Sequence, residues 1–195
     1  MWSEKDMEEY LKKNLKTSRY KHSLGVRDSA VILAKKYKVD EGKARLAGLI
    51  HDCAKNLKDK EILNLVRGQG LEISKVCFKS PQIMHGLAGA IVAKNVFKVT
   101  DEEVLNAITY HTTGREDMTA LEKIVYLADF IEPSRDFLGI EALRTLAYKD
   151  LDRALFLAFD NTITFVIKKG ELLHLDTVIA RNDIILKNNF QEGIL

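Results

Sequence analysis

Turn-making residues are scarce in this chain. Two prolines and eleven glycines among 195 residues are too few for an all-β sandwich, which needs a turn signal every ten residues or so. Hydrophobic runs are short as well: none approaches the 18 apolar residues of a membrane span. The opening Met1-Trp2-Ser3-Glu4-Lys5-Asp6 lacks the basic-then-apolar pattern of a signal peptide, so a cytoplasmic location without membrane association is expected. Cys53 and Cys77 are the only cysteines, which indicates neither a zinc ribbon nor a disulfide framework. Excess charge is missing too. Thirty Lys and Arg against 28 Asp and Glu leave +2, too weak a field to advertise a nucleic-acid partner. G-x-S-x-G, P-loop and H-E-x-x-H signatures are absent, and Gly68-Gln69-Gly70 lacks the third glycine and preceding strand of a dinucleotide fingerprint.

What is present is helical. A hydrophobic share of 46% with 30% charged residues suits a globular fold of this length, expected as one domain over residues 1–195. Ser3 to Asp6 is a capping box for a first amphipathic helix, Thr17 or Ser18 can cap a second to about Tyr37, and Asp40 can cap a third. A helix near Asp59 to Arg67 stops at Gly68. Ser80-Pro81 opens one reaching about Val96. Capping boxes at Thr100 and Thr119 start helices at about 101 and 120, the latter ending near Pro133. Helices around 140–148 and 150–170 follow, and Asp176 can cap the last, which frays after Phe190. The sum is an all-α fold of eight to ten helices.

The informative positions are ionisable residues that interrupt apolar faces, because burying such a group costs several kcal/mol unless it is paired or metal-bound. Asp129 stands inside Ile124-Val125-Tyr126-Leu127-Ala128-Asp129-Phe130-Ile131, and His51-Asp52 follows Ala47-Gly48-Leu49-Ile50. His85 precedes the small residues Gly86, Ala88, Gly89 and Ala90; His111 ends Ala107-Ile108-Thr109-Tyr110. Taken alone, each histidine reads as a core imidazole bonded to a carbonyl. As a set they do not: four of five histidines, His22, His51, His85 and His111, fall on or beside apolar helical segments in company with Asp52 and Asp129. Six nitrogen and oxygen donors without a thiolate suit one or two transition metals better than calcium or magnesium. Adjacent residues point about 100° apart on a helix, so His51 and Asp52 can meet one metal only from a frayed last turn, or else address two neighbouring metals. Asp52 is then the natural bridge, and a hydroxide held between the metals suits phosphoester or phosphoanhydride hydrolysis.

The order His22, His51-Asp52, His85, His111, Asp129 resembles the H…HD…H…H…D ligand order of the HD-domain metal-dependent phosphohydrolases. More narrowly, Arg19-Tyr20-Lys21-His22-Ser23-Leu24-Gly25-Val26, Leu49-Ile50-His51-Asp52-Cys53-Ala54-Lys55, His85-Gly86-Leu87-Ala88-Gly89-Ala90, Tyr110-His111-Thr112-Thr113-Gly114 and Tyr126 through Arg135 resemble the YqeK family. The resemblance implies a di-iron enzyme that cleaves diadenosine tetraphosphate symmetrically into two ADP, with manganese, cobalt or zinc as alternative metals. His22, His51, Asp52, His85, His111 and Asp129 would hold the two metals and Asp52 would bridge them. A late segment, His174-Leu175-Asp176-Thr177 with Ala180-Arg181-Asn182, is similar to a family segment near the nucleotide, which makes His174, Thr177 and Arg181 candidate substrate contacts.

A polyphosphate needs further cations. Lys55 lies four residues after His51, Arg135 follows Asp129 closely, and Arg19 lies three before His22; Thr112 can donate its hydroxyl beside His111. Lys55 is therefore expected to act with Asp52 in catalysis, and Arg19, Lys55, Arg135 and Thr112 to bind substrate. Two rivals stand beside this reading: an HD-type hydrolase of another nucleotide or alarmone, and a non-catalytic, metal-bound nucleotide sensor. A homodimer is a candidate assembly.

Overall fold

A computed structural model describes residues 1–188. Among these residues there are eleven α-helices, one 3-10 helix and no strand: α1 (Glu4–Asn14), α2 (Thr17–Tyr37), α3 (Glu41–Ile50), α4 (Asp59–Arg67), α5 (Lys75–Lys79), the 3-10 turn Pro81–Met84, α6 (His85–Asn95), α7 (Glu102–Tyr110), α8 (Ala120–Ile131), α9 (Ile140–Ala147), α10 (Leu151–Lys168) and α11 (Leu175–Asn188). Among the described residues no helix is long and apolar enough to cross a membrane. The fold is all-α, as expected.

Local chemistry explains most boundaries. Ser3 and Asp6 form the reciprocal capping box, Asp40 accepts from the Lys43 N–H, and Thr119 accepts from the Glu122 N–H. At α7 the cap is Asp101, not Thr100, because its carboxylate takes both the Glu103 and Val104 N–H groups. Helix α2 starts without a side-chain cap on Lys16, so Thr17 and Ser18 lie inside its first turn. Pro81 opens a 3-10 turn, and α6 begins only at His85. That break and the five-residue α5, too short to show a period, raise the helix count above the expected eight to ten. Asp176 sits in the first turn of α11, and its N–H donates to His174 Nδ1 at 3.3 Å; His174 thus caps the helix in its place. The fraying expected after Phe190 lies outside the described residues.

The main core joins α2, α3, α7, α8 and α10 through Leu33, Ile50, Ile108, Ile124, Leu127 and Phe159, all buried. Each such side chain contributes roughly 1.5–3 kcal/mol of transfer free energy. A smaller cluster, Ile62, Val66, Cys77, Met84, Ala88 and Ile91, lies under α4 and α6. Close approach of α2 and α3 requires Gly48, where a Cβ would stand 3.0 Å from Arg27 Cα. This packing brings the second turn of α2, the ends of α3 and α7, the start of α6 and one face of α8 to a common centre.

Candidate metal centre

Three of the four histidines stand at or just past a helix end. His51 follows α3, His111 follows α7, and His85 follows the 3-10 turn. The last carbonyls of a helix have no partner within it, and His51 and His111 use one each, their Nδ1 atoms donating to Gly48 O at 2.8 Å and Ile108 O at 2.7 Å; His85 Nδ1 donates to Gln82 O at 2.6 Å, a carbonyl that the His85 backbone N–H also reaches. A carbonyl only accepts, so the proton is on Nδ1 and the Nε2 lone pair is free to face the centre. His22 lies within α2, where the helix occupies those carbonyls, and its Nδ1 instead meets Glu132 Oε1 at 2.9 Å.

All six expected ligands converge. His22, His51, Asp52, His85 and His111 are each no more than 5% exposed. The two carboxylate oxygens of Asp52 face different histidines. Oδ2 lies 3.6 Å from His51 Nε2 and 4.0 Å from His22 Nε2, while Oδ1 lies 3.1 Å from His85 Nε2 and 3.5 Å from His111 Nε2. Asp129 Oδ1 is 2.9 Å from His22 Nε2, and the Nε2 atoms of His85 and His111 are 3.0 Å apart. Two triads, His22–His51–Asp129 and His51–Asp52–His111, hold their donor atoms within 4.8 Å of one another.

The donor set fits a cation. His51 Nε2 and Asp52 Oδ1 are buried with no hydrogen-bond partner, while His22 has a carboxylate 2.9 Å from each ring nitrogen, and against the lowering effect of burial Asp129 and Glu132 raise its pKa. Lone pairs turned toward one another at this depth repel unless something positive lies between them. Burial pushes the His51 pKa down to about 3, which keeps its ring neutral and available as a donor. Burial alone would raise the pKa of Asp52, but His51, His111 and His85 around it hold it well below the carboxylate range. A set of imidazoles and carboxylates without sulfur suits iron, manganese, cobalt or zinc.

The centre opens into a cavity of about 620 Å³ that Arg19, Lys55, Thr112 and Arg135 also line. Arg19 Nη1 reaches Asp52 Oδ2 at 3.0 Å, and Arg135 pairs with Asp129. Lys55 Nζ donates to His85 Nε2 at 3.2 Å, and its burial lowers its pKa. Thr112 Oγ1 lies 3.1 Å and 3.2 Å from the Nε2 atoms of His85 and His111. The other three expected substrate contacts are elsewhere. His174 caps α11, Thr177 is buried, and Arg181 pairs with Asp160 while its guanidinium lies 5.0 Å from the Phe156 ring centre; none of the three lines the cavity.

Two groups escaped the sequence reading. Glu132, 1% exposed, is bound by His22 and by the Ser134 N–H and hydroxyl. Burial alone would raise its pKa, but these donors hold it below the usual value; the only signal was a glutamate three residues after Asp129. The far wall of the cavity is built by Phe130, Phe137, Leu138 and a face of α10 that includes Asn161, Thr164, Phe165 and Lys168. No sequence pattern separated that face from an ordinary solvated one.

The model of the HD domain matches residues 19–134, the stretch that contains all six of these groups. A protein of Halalkalibacterium halodurans named symmetrical bis(5'-nucleosyl)-tetraphosphatase is 41% identical over 177 residues, covering 91% of this chain and 94% of its own length. A protein of Bacillus subtilis with the same name is 36% identical over 175 residues, covering 90% and 94%. Among solved structures, one described as a "predicted HD superfamily hydrolase involved in NAD metabolism" from Clostridium acetobutylicum superposes with a TM-score of 0.94. It is 51% identical and covers 96% of this chain and all of that one. With its ordered histidines and aspartates gathered at one centre, the chain belongs to the HD domain family.

Proposed function

We propose that this protein is a metal-dependent phosphoanhydride hydrolase that cleaves diadenosine tetraphosphate symmetrically into two ADP. The observation that carries the reading is the convergence of four imidazoles on the two oxygens of one buried carboxylate, Asp52, beside a cavity rimmed with cations. His22, His51, Asp52, His85, His111 and Asp129 would hold two transition-metal ions, iron expected, with Asp52 reaching both. Such ions supply Lewis-acid polarisation of a phosphoryl group and activate water at neutral pH.

The chain's own side chains do the rest. Arg19, Lys55 and Arg135 neutralise the polyphosphate and hold an inner phosphorus at the centre, and the Thr112 hydroxyl donates to a phosphoryl oxygen. ADP with its charge balanced by Lys55 and Arg135 is a good leaving group, so no separate general acid is needed. The wall of Phe130, Phe137, Leu138 and Phe165, with the Asn161 amide among them, suits a nucleoside: flat apolar surface for the base and one polar group for its edge. Because α10 forms that wall, the C-terminal helices and residues 19–134 act as one functional unit. The test is a panel of diadenosine tetraphosphate, mononucleotides and NAD with the metal-loaded protein. ADP as sole product from the first supports the proposal, and preference for another member of the panel replaces it with a hydrolase of that nucleotide.

A further inference from the structure

Of the four imidazoles at the centre, three are backed by neutral main-chain carbonyls and one by a carboxylate. The difference follows from position. His51 and His111 stand where helix ends leave carbonyls unpaired and His85 where the 3-10 turn presents one, whereas His22 lies within α2 and finds Glu132 across the α2–α8 contact. Glu132 is fixed from several sides. The Ser134 N–H donates to its Oε2 at 2.7 Å, the Ser134 hydroxyl donates to Oε1, and the Glu132 carbonyl accepts from Arg144 Nη2 at 2.9 Å. Gly25, one turn along α2 from His22, leaves the room the carboxylate occupies: a Cβ there would stand 2.6 Å from Oε2. A buried anion is costly to keep unless it is paired, and two groups share this charge: His22 Nδ1 at 2.9 Å and, farther off, Arg135 Nε at 3.9 Å from Oε1.

We propose that Glu132 is a positioning residue that makes the two metal positions unequal. By accepting the Nδ1–H of His22 it fixes the ring's tautomer and direction, and it strengthens Nε2 as a donor more than a carbonyl does. The triad His22–His51–Asp129 then binds a divalent ion more tightly than the position faced by His85 and His111. This inference rests on the two-metal reading above.

The experiment is titration of the full chain, stripped of metal, with cobalt(II) alone, following its visible absorption and the number of ions bound. The wild type is expected to fill two positions with unequal affinity. Glu132→Gln keeps the volume and an acceptor oxygen but removes the charge; it is expected to weaken the tighter position about 10- to 100-fold and to leave the weaker one unchanged. The His22 Nδ1–H proton resonance should move upfield in the variant, a signature that a merely structural role would not produce. Glu132→Asp, which keeps the charge but draws it back from His22 by one methylene, is expected to shift the same position in the same direction by a smaller factor, and it decides the matter should Glu132→Gln fail to fold. Equal affinities in the wild type, or equal weakening of both positions in a folded variant, overturns the role of Glu132. Failure of the wild type to bind cobalt at all overturns the metal reading instead.

Discussion

Gly86→Ala is the most revealing small change available at the centre. Gly86 follows His85 at the start of α6, and a Cβ there would stand 2.6 Å from Thr109 O, 2.8 Å from Ile108 O and 3.2 Å from His111 Nδ1. Contacts of Cβ below 3.0 Å essentially never occur, so α6 must withdraw from α7 by at least about 0.4 Å, and the obstructing atoms are main-chain carbonyls with little freedom. One of them, Ile108 O, is the group that orients His111. Overpacking of this kind costs about 1–3 kcal/mol, and replacing a helical glycine returns about 0.5–1 kcal/mol. The difference is a net loss of up to about 2.5 kcal/mol, which for a protein of this size lowers Tm by up to about 10 °C. Activity should suffer more, because a shift of His85 relative to His111 spoils their 3.0 Å Nε2 separation; displacements approaching 1 Å can cost about 100-fold, and a loss of about 10- to 100-fold in kcat/KM is expected. The assay is hydrolysis of diadenosine tetraphosphate alongside thermal melting, with Gly42→Ala as control, since the Cβ there meets only a side-chain oxygen of Asp40 at 3.1 Å. Wild-type melting and turnover in Gly86→Ala would refute the claim that helix spacing sets the ligand geometry.

Three further outcomes are expected. Asp52→Ala should lower kcat by several orders of magnitude even with excess metal, whereas Lys55→Ala, which removes one charge-assisted contact worth roughly 1.5–3 kcal/mol, should cost about ten- to a few hundredfold in kcat/KM; near-normal activity in folded Asp52→Ala would contradict the assignment. Dialysis against a chelator should destabilise the protein by about 2.7 kcal/mol relative to protein with metal at 100 Kd, a fall of about 5–11 °C in Tm that restored metal reverses; an unchanged Tm would argue against bound metal. Phe165→Ala and Asn161→Ala should raise KM for the dinucleotide with little change in kcat, measured by initial rates, and an effect on kcat alone would remove α10 from the nucleoside site.

How far the sequence could be read depended on whether a residue's neighbours betrayed its setting. His51, Asp52 and Asp129 were legible because they interrupt runs of apolar helix, where a charge demands a partner. Glu132 was not, although it is as buried as His22, because Glu132-Pro133-Ser134-Arg135 looks like any polar helix end; only the crossing of α2 over α8 brings it to His22. Nothing in the sequence singled out Asn161, Thr164 and Lys168 on α10 either; only the fold brings them to the cavity. Arg181 became a candidate substrate contact through the resemblance of its segment, and in the fold it pairs with Asp160 on α10. The start of α2 was misplaced because Thr17 is a good cap locally yet is drawn into the helix behind Lys16.

The position of bond cleavage tests the central claim most directly. Metal-loaded wild-type protein is given diadenosine tetraphosphate in oxygen-18 water, and the products are identified by mass. Attack on an inner phosphorus gripped at Asp52 predicts ADP as the only product, with one oxygen-18 in the terminal β-phosphate of one of the two molecules. AMP together with ATP would show that the central phosphoanhydride is not the bond broken, with oxygen-18 in AMP placing the attack on an outer phosphorus, and would contradict the account.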